Sequence, residues 1–155
     1  VHFSLSILEE VLAPISALML DDKVLPKYPY PSGGSAYAVQ CYVVVHEAIG
    51  GIAPGTYYYH PVEHYLAQVS ETFLSQPSSA PVTLEFQLYL PAIEPLYQER
   101  SLGLAWLELG HILSLMESSL NRLGIGRGLR LIDQRAQEYH HLISLDLLDF
   151  FPNLE

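Results

Sequence analysis

Between residues 4 and 15 the apolar positions Leu5, Ile7, Leu8, Val11, Leu12 and Ile15 recur at three- and four-residue intervals, the spacing of an amphipathic helix. Ser4 or Ser6 stands where an N-cap belongs, and Glu9 follows Ser6 by three residues as in a capping box. Residues 21–31 hold three prolines among turn formers and predict a loop. Residues 37–46 are rich in valine and aromatics without clean alternation, which predicts a strand buried on both faces at the centre of a sheet. Gly50, Gly51, Pro54 and Gly55 mark a turn, and residues 56–59 predict a second strand paired with the first as a hairpin. Residues 64–73 predict a short helix or an irregular segment. Residues 82–90 alternate well enough for a third strand, with Val82, Leu84, Phe86 and Leu88 on one side.

From Gly103 to Leu123 the chain is apolar nearly all round, through Leu104, Leu107, Ile112, Leu115, Met116, Leu120 and Leu123. Such a pattern predicts a fully buried helix, ended by Gly124 and Gly126. Residues 133–148 predict a last amphipathic helix or pair of turns. Strands together with long apolar helices make the fold class α+β.

Composition adds a constraint on assembly. The 155 residues are 50% hydrophobic and 15% charged, enough for one domain with one core spanning residues 1–155. There is too little charge to cover the surface of a monomer, so an apolar face is expected to be covered by a second copy. The net charge is -10, Lys23 and Lys27 are the only lysines, and no arginine precedes Arg100, which argues against nucleic-acid binding. Cys41 is the single cysteine, so neither an internal disulfide nor a cysteine-based zinc site can form, and a reducing, cytoplasmic setting is expected. No apolar run approaches the roughly 18 residues of a membrane span. A start at Val1 instead of Met suggests a piece of a longer chain.

The candidate chemistry is sparse. His60 and His64 have a metal-ligand spacing, but Pro61 argues against a helix joining them, and no metal is expected. His46 lacks a second histidine four residues on and is expected at a strand end. His140 and His141 are adjacent and are expected to point apart on a helix surface. Ser32 is not flanked as in a nucleophile elbow. Glu108 and His111 lie three apart in the apolar helix; they either satisfy each other or a backbone group, or face an interface or cofactor cavity. Pro31, Ser32, Gly33 and Gly34 form either a tight surface turn or a backbone that lies close against a flat or phosphorylated ligand.

In order along the chain, "YPSGGSAYAVQCYVVV", "IAPGTYYYHPVEHYL", "LAWLELGHIL" and "LNRLGIG" resemble the landmarks of SagB-type azoline dehydrogenases in the FMN-dependent nitroreductase superfamily. The likeness covers roughly Ser4 to Leu148 and is strongest to the oxidase domains built into nonribosomal peptide synthetases. It implies a nitroreductase-like fold, a central antiparallel-rich sheet flanked by long apolar helices, and a homodimer with FMN between the subunits. It implies FMN-binding roles for Pro31, Ser32, Gly33, Gly34, Gln40, Gly124, Ile125 and Gly126, and a proton-transfer role for Tyr97. Two departures matter: Leu96 occupies the position of the family's lysine, and no arginine in the first 99 positions matches the family's usual N-terminal arginine-containing segment, so either the residues begin inside the domain or the copy is degenerate, and Arg127 or Arg130 would have to serve the phosphate. The implied reaction converts a thiazoline or oxazoline to the aromatic azole on a peptide or carrier-protein-bound intermediate. The alternatives are a non-catalytic module that docks or scaffolds in an assembly line, and a nicotinamide-dependent nitroreductase.

Overall fold

The computed structural model describes residues 3–69 and 78–148. Helix α1 spans Leu5–Leu12; Ser4 caps it, its Oγ accepting from the Ile7 amide at 3.4 Å, and a single 3₁₀ turn over Ala13–Ile15 follows. The strands are β1 (Val39–Val45), β2 (Gly55–His60), β3 (Tyr65–Val69) and β4 (Val82–Tyr89). Helices α2 (Leu90–Tyr97) and α3 (Ser101–Leu123) come next, then β5 (Gly126–Ala136) and β6 (Tyr139–Leu148). All strand pairings are antiparallel, in the order β3-β2-β1-β4-β6-β5.

Strand alternation sorts the sheet into two chemically distinct faces. Val39, Cys41, Val43 and Val45 share one face with Val82, Leu84, Phe86 and Leu88, and they pack with Ala105, Ile112 and Met116 of α3 and Leu8 and Val11 of α1 in one core. Gln40, Tyr42, Thr83, Glu85, Gln87, Ser144 and Asp146 fall on the other face. β1 is central and buried, as its valine-rich run predicts, and β4, expected from its alternation, is buried beside it on both faces.

Three expectations are corrected. Residues 65–69 are the strand β3, whose register against β2 runs from His60↔Tyr65 to Thr56↔Val69, while residues 70–73 lie outside the described residues. Residues 133–148 belong to the β5–β6 hairpin, not to a helix. Its turn passes through Gln137 at φ 55 with no glycine to mark it, and the leucine spacing imitates a helix. Finally, α3 is not buried all round. Ala105, Glu108, Leu109, Ile112, Met116 and Leu120 face the sheet, whereas Leu107 on the outer side is 65% exposed, because one chain offers the helix only one layer to pack on. Helix α2 was not anticipated, since Pro91 and Pro95 within LPAIEPLY disguise two helical turns.

Candidate functional site

The turn from Pro31 to Gly34 leads into β1 and is pinned to α3 by a buried carboxylate. Ser32 Oγ donates to Glu108 Oε2 at 2.7 Å, and the Val39 amide donates to Glu108 Oε1 at 3.3 Å. The Tyr37 amide in turn donates to Ser32 Oγ at 2.8 Å. Glu108 is only 2% exposed, so burial pushes its carboxyl above the ordinary range, while the Ser32 and Val39 hydrogen bonds pull it back. His111, three residues on, is exposed, and Glu108 finds its partners in a serine and a backbone amide instead.

The two glycines are required by what lies against them. Gly34 has φ 59, and a Cβ there would sit 2.7 Å from Tyr97 Oη; a Cβ on Gly33 would sit 3.0 Å from Leu104 Cδ1. The fold therefore brings together Ser32, Gly33, Gly34 and Tyr97. Behind them Tyr28 and Tyr37 stack with centroids 3.9 Å apart, and Tyr30 meets both edge-on. Burial raises the Tyr28 and Tyr30 hydroxyls, and Tyr30 is the more strongly shifted. Gln40 lies on the opposite face of β1, its Oε1 accepting from Tyr42 Oη at 2.9 Å. Leu96, beside Tyr97, is 62% exposed.

Gly124, Ile125 and Gly126 lie elsewhere. Gly124 ends α3 in the left-handed conformation at φ 67, and the Ile125 amide donates to the Leu120 carbonyl at 3.0 Å. At 1.5 Å rise per residue, Gly124 is about 24 Å along α3 from Glu108. The two segments assigned to one ligand are thus at opposite ends of the longest helix. Arg127 Nη2 meets Glu117 Oε1 at 2.9 Å on the surface, and Arg130 Nη2 meets Asp146 Oδ1 at 3.1 Å in a more enclosed setting. Exchanging the exposed Arg127 pair for another anion would cost little.

The histidines separate into different environments. His60 Nδ1 accepts from the Glu63 amide at 3.2 Å, while His64 Nδ1 lies 3.4 Å from Tyr59 Oη, so the pair does not converge. His140 and His141 are on strand β6, not a helix: His140 pairs with Asp133 at 2.8 Å, and His141 is buried, which corrects the expectation of a shared surface role. His46 follows β1 directly, with Nε2 2.8 Å from Thr83 Oγ1. Sequence reasoning passed over Thr83, Glu85, Ser144 and Asp146 entirely. Each is an isolated polar residue in an apolar strand, and only the cross-strand register brings them side by side.

No family model matches the chain. It is 35% identical over 142 residues to an indigoidine synthase from Streptomyces lavendulae, a match covering 92% of this chain and 10% of that protein. A second indigoidine synthase, from Dickeya dadantii, is 36% identical over 105 residues, covering 68% of this chain and 7% of that protein. The chain therefore spans a tenth or less of the length of these relatives. Among solved structures, the Escherichia coli microcin synthetase McbBCD complex with truncated pro-MccB17 bound superposes with TM-score 0.77 at 18% identity, over 97% of this chain and 65% of that one. A protein from Ralstonia eutropha described as a nitroreductase gives TM-score 0.75 at 15% identity, over 97% and 75%. One from Anabaena variabilis, described in the same way, gives 0.76 at 18%, over 97% and 36%. The fold is nitroreductase-like, with an antiparallel sheet and flanking helices.

Proposed function

We propose that this chain is an FMN-dependent dehydrogenase module of a biosynthetic assembly line, acting as a homodimer. It removes a hydride and a proton from a small intermediate, with conversion of a thiazoline or oxazoline to the azole as the form that its motifs suggest. The observation that carries this reading is the Pro31–Gly34 turn, held by the buried Ser32–Glu108 hydrogen bond with the Tyr97 hydroxyl laid against Gly34. A turn fixed at this depth is pre-organised for a planar ligand, and a proton-carrying group already touches it. The relatives named indigoidine synthases support a biosynthetic setting, and the bound pro-MccB17 of the microcin synthetase complex supports a peptide or carrier-linked substrate. Among the described residues no helix is long and apolar enough to cross a membrane.

Distance supports the homodimer. Ser32 and Gly124 cannot flank one FMN from a single chain if about 24 Å of helix separates them, but a two-fold partner can bring its Gly124–Gly126 to this chain's turn. The outer face of α3 suits such a contact: nothing lies within 4 Å of a Cβ built at Gly103 or Gly110, and Leu107 projects between them. Beside it runs a groove of about 400 Å³ lined by Gly110, Leu113, Ser114, Arg127 and Leu129.

The residues fit FMN unevenly. Pro31, Ser32, Gly33 and Gly34 would hold it from one subunit, and Gly124, Ile125 and Gly126 from the other, while Gln40, on the opposite face of β1 and bonded to Tyr42, stands apart from this cradle. Arg127, released from its exposed pair with Glu117, would meet the phosphate. Ser32 would offer a lone pair, since its hydrogen is committed to Glu108. FMN supplies the hydride acceptor. The chain's task is to fix the substrate against the turn, exclude water, and receive the proton through Tyr97 Oη.

The direct test is gel filtration of the chain with FMN, followed by absorption and light scattering. Flavin bands co-eluting at a mass near twice 17.4 kDa are expected, and Leu107→Asp is expected to give a colourless monomer. A colourless wild-type chain favours the non-catalytic docking module, the reading that Leu96 in place of the family's lysine supports. Tyr97→Phe should keep bound FMN and lose azoline turnover by on the order of 10²-fold; unchanged turnover removes Tyr97 from the chemistry.

A further inference from the structure

On the side of the sheet that carries α1, a cavity of about 510 Å³ lies between that helix and the β2–β3 hairpin. Neither the Pro31–Gly34 turn nor Tyr97 nor Gly124–Gly126 lines it. Its size falls within the range of roughly 300–1,000 Å³ usual for small-molecule sites. Two periodicities build it. Leu5, Leu8 and Leu12 recur three and four apart along α1 and form one wall. Tyr57 and Tyr59 stand two apart on β2 and therefore share a face. Tyr57 pairs with Val43, which belongs to the core, so both rings turn to the α1 side, where they are buried and line the cavity.

The polar groups of the lining have a definite sense. Ser16 Oγ donates its hydrogen to the Ala13 carbonyl at 2.7 Å, and Tyr57 Oη donates to the Ala53 carbonyl at 2.7 Å. With those hydrogens committed, each oxygen has only lone pairs to offer a ligand. Glu9, on the same helix as the leucine wall, is exposed and brings a carboxylate that can only accept. Neither lysine nor arginine lines the cavity. His64, at φ 55 in the turn between β2 and β3, has Nδ1 3.4 Å from Tyr59 Oη, so these two groups share one hydrogen bond. Burial pushes the Tyr59 hydroxyl up to about 12, so it brings no negative charge of its own near pH 7.

The result is an apolar and aromatic interior with acceptor oxygens and one carboxylate around it. A carboxylate or phosphate ligand would face Glu9 and bare lone pairs, with no guanidinium or ammonium to answer it. An ammonium group would find the reverse, acceptor oxygens and the faces of two tyrosine rings.

We propose that this cavity is a second ligand site and that its ligand is an aromatic amine, with a flat apolar body between the α1 leucines and the tyrosine rings and its ammonium group at Glu9. The site is separate from the FMN cradle, and the proposal does not depend on the dehydrogenase reading. A free arylalkylamine and the amino-terminal aromatic residue of a peptide share this chemistry.

The test is a titration of the nitrogen-15-labelled chain with phenethylamine, followed by heteronuclear NMR. Saturable shifts are expected for amides of α1 and of residues 57–66, with those of residues 31–34 unmoved. Phenethyl alcohol, which keeps the body and loses the charge, should bind more weakly, and phenylpropionate, which reverses the charge, most weakly of the three. Glu9→Gln should weaken phenethylamine about threefold, the size of an exposed ion pair, and leave phenethyl alcohol unchanged. Ala13→Phe adds a ring from an exposed lining position and should abolish the shifts from both. Phenylalanyl-glycinamide separates the two sources: binding as tight as that of phenethylamine assigns a peptide terminus, and exclusion assigns a free amine. No saturable shifts in these segments, shifts centred on residues 31–34 instead, or a preference for phenylpropionate overturns the proposal. If Ala13→Phe does not fold, the ranking of the three charge analogues on the wild-type chain decides alone.

Discussion

Replacing Glu108 by alanine is expected to lower the unfolding free energy by about 2–4 kcal/mol, because two buried donors lose their acceptor at once. The Ser32 hydroxyl and the Val39 amide both end on this carboxylate, and one of them initiates the central strand. Urea denaturation followed by circular dichroism measures the loss, and a change under about 0.5 kcal/mol would mean the carboxylate is not a structural acceptor. Glu108→Gln should cost less, since an amide oxygen can still accept from Ser32 while only one of the two bonds is forfeited. The pH dependence separates them further. Glu108 is raised above its ordinary 4.5, so its contribution is fully present below pH 4.5 and is lost as pH rises through its folded value. Glu85, raised by burial in the same way, acts in the same direction. His46 and His141 are lowered from 6.5 by burial, so theirs is present above pH 6.5 and lost as pH falls toward their folded values. Glu108→Gln should remove part of the decline on the alkaline side and leave the acid limb unchanged.

The second large effect is expected at Gly34. Valine there must hold a β-branched side chain at φ 59 and place its Cβ 2.7 Å from Tyr97 Oη. Strain of this kind costs about 1–3 kcal/mol before the clash is counted, and overpacking adds a similar amount. The whole turn and the Tyr97 ring should move, and bound FMN should be lost with them. Gly33→Val is the informative contrast. Its Cβ meets Leu104 alone, tightly only at Cδ1 (3.0 Å) and at ordinary contact distance from Cβ (3.5 Å), so the fold should survive while the turn is crowded. Retention of FMN by Gly33→Val would exclude that backbone from the cofactor site. Wild-type stability in Gly34→Val would mean that the turn has another conformation.

These positions also separate what is legible in a chain from what is not. Two adjacent glycines after Pro31-Ser32 announce either a tight turn or a close approach, the two reasons for giving up two Cβ atoms and the entropy that goes with them. What approaches is not announced: in the folded chain it is Tyr97 and Leu104, brought from more than sixty positions away. Glu108 reads as a buried carboxylate in need of a partner, and its neighbour His111 looks like the answer. The true partner, Ser32, is 76 residues distant. Helix periodicity can nominate partners only three or four residues away.

By itself the sequence determined the elements whose signal is local. These are α1 through its cap and spacing, β1 through a valine-rich run buried on both faces, β4 through its alternation, and the end of α3 through Gly124. It also determined the fold class, since four motifs in order resemble one superfamily. The tertiary structure decided the rest. β3 and the β5–β6 hairpin are strands because neighbours supply hydrogen bonds that their own side chains do not call for. The outer face of α3 is exposed because a single chain has only one layer to cover it. The His46–Thr83–Asp146–Arg130 array exists because antiparallel register places three separate strand positions, and the residue just after β1, within hydrogen-bond reach, and register is a property of the whole sheet and not of any one strand.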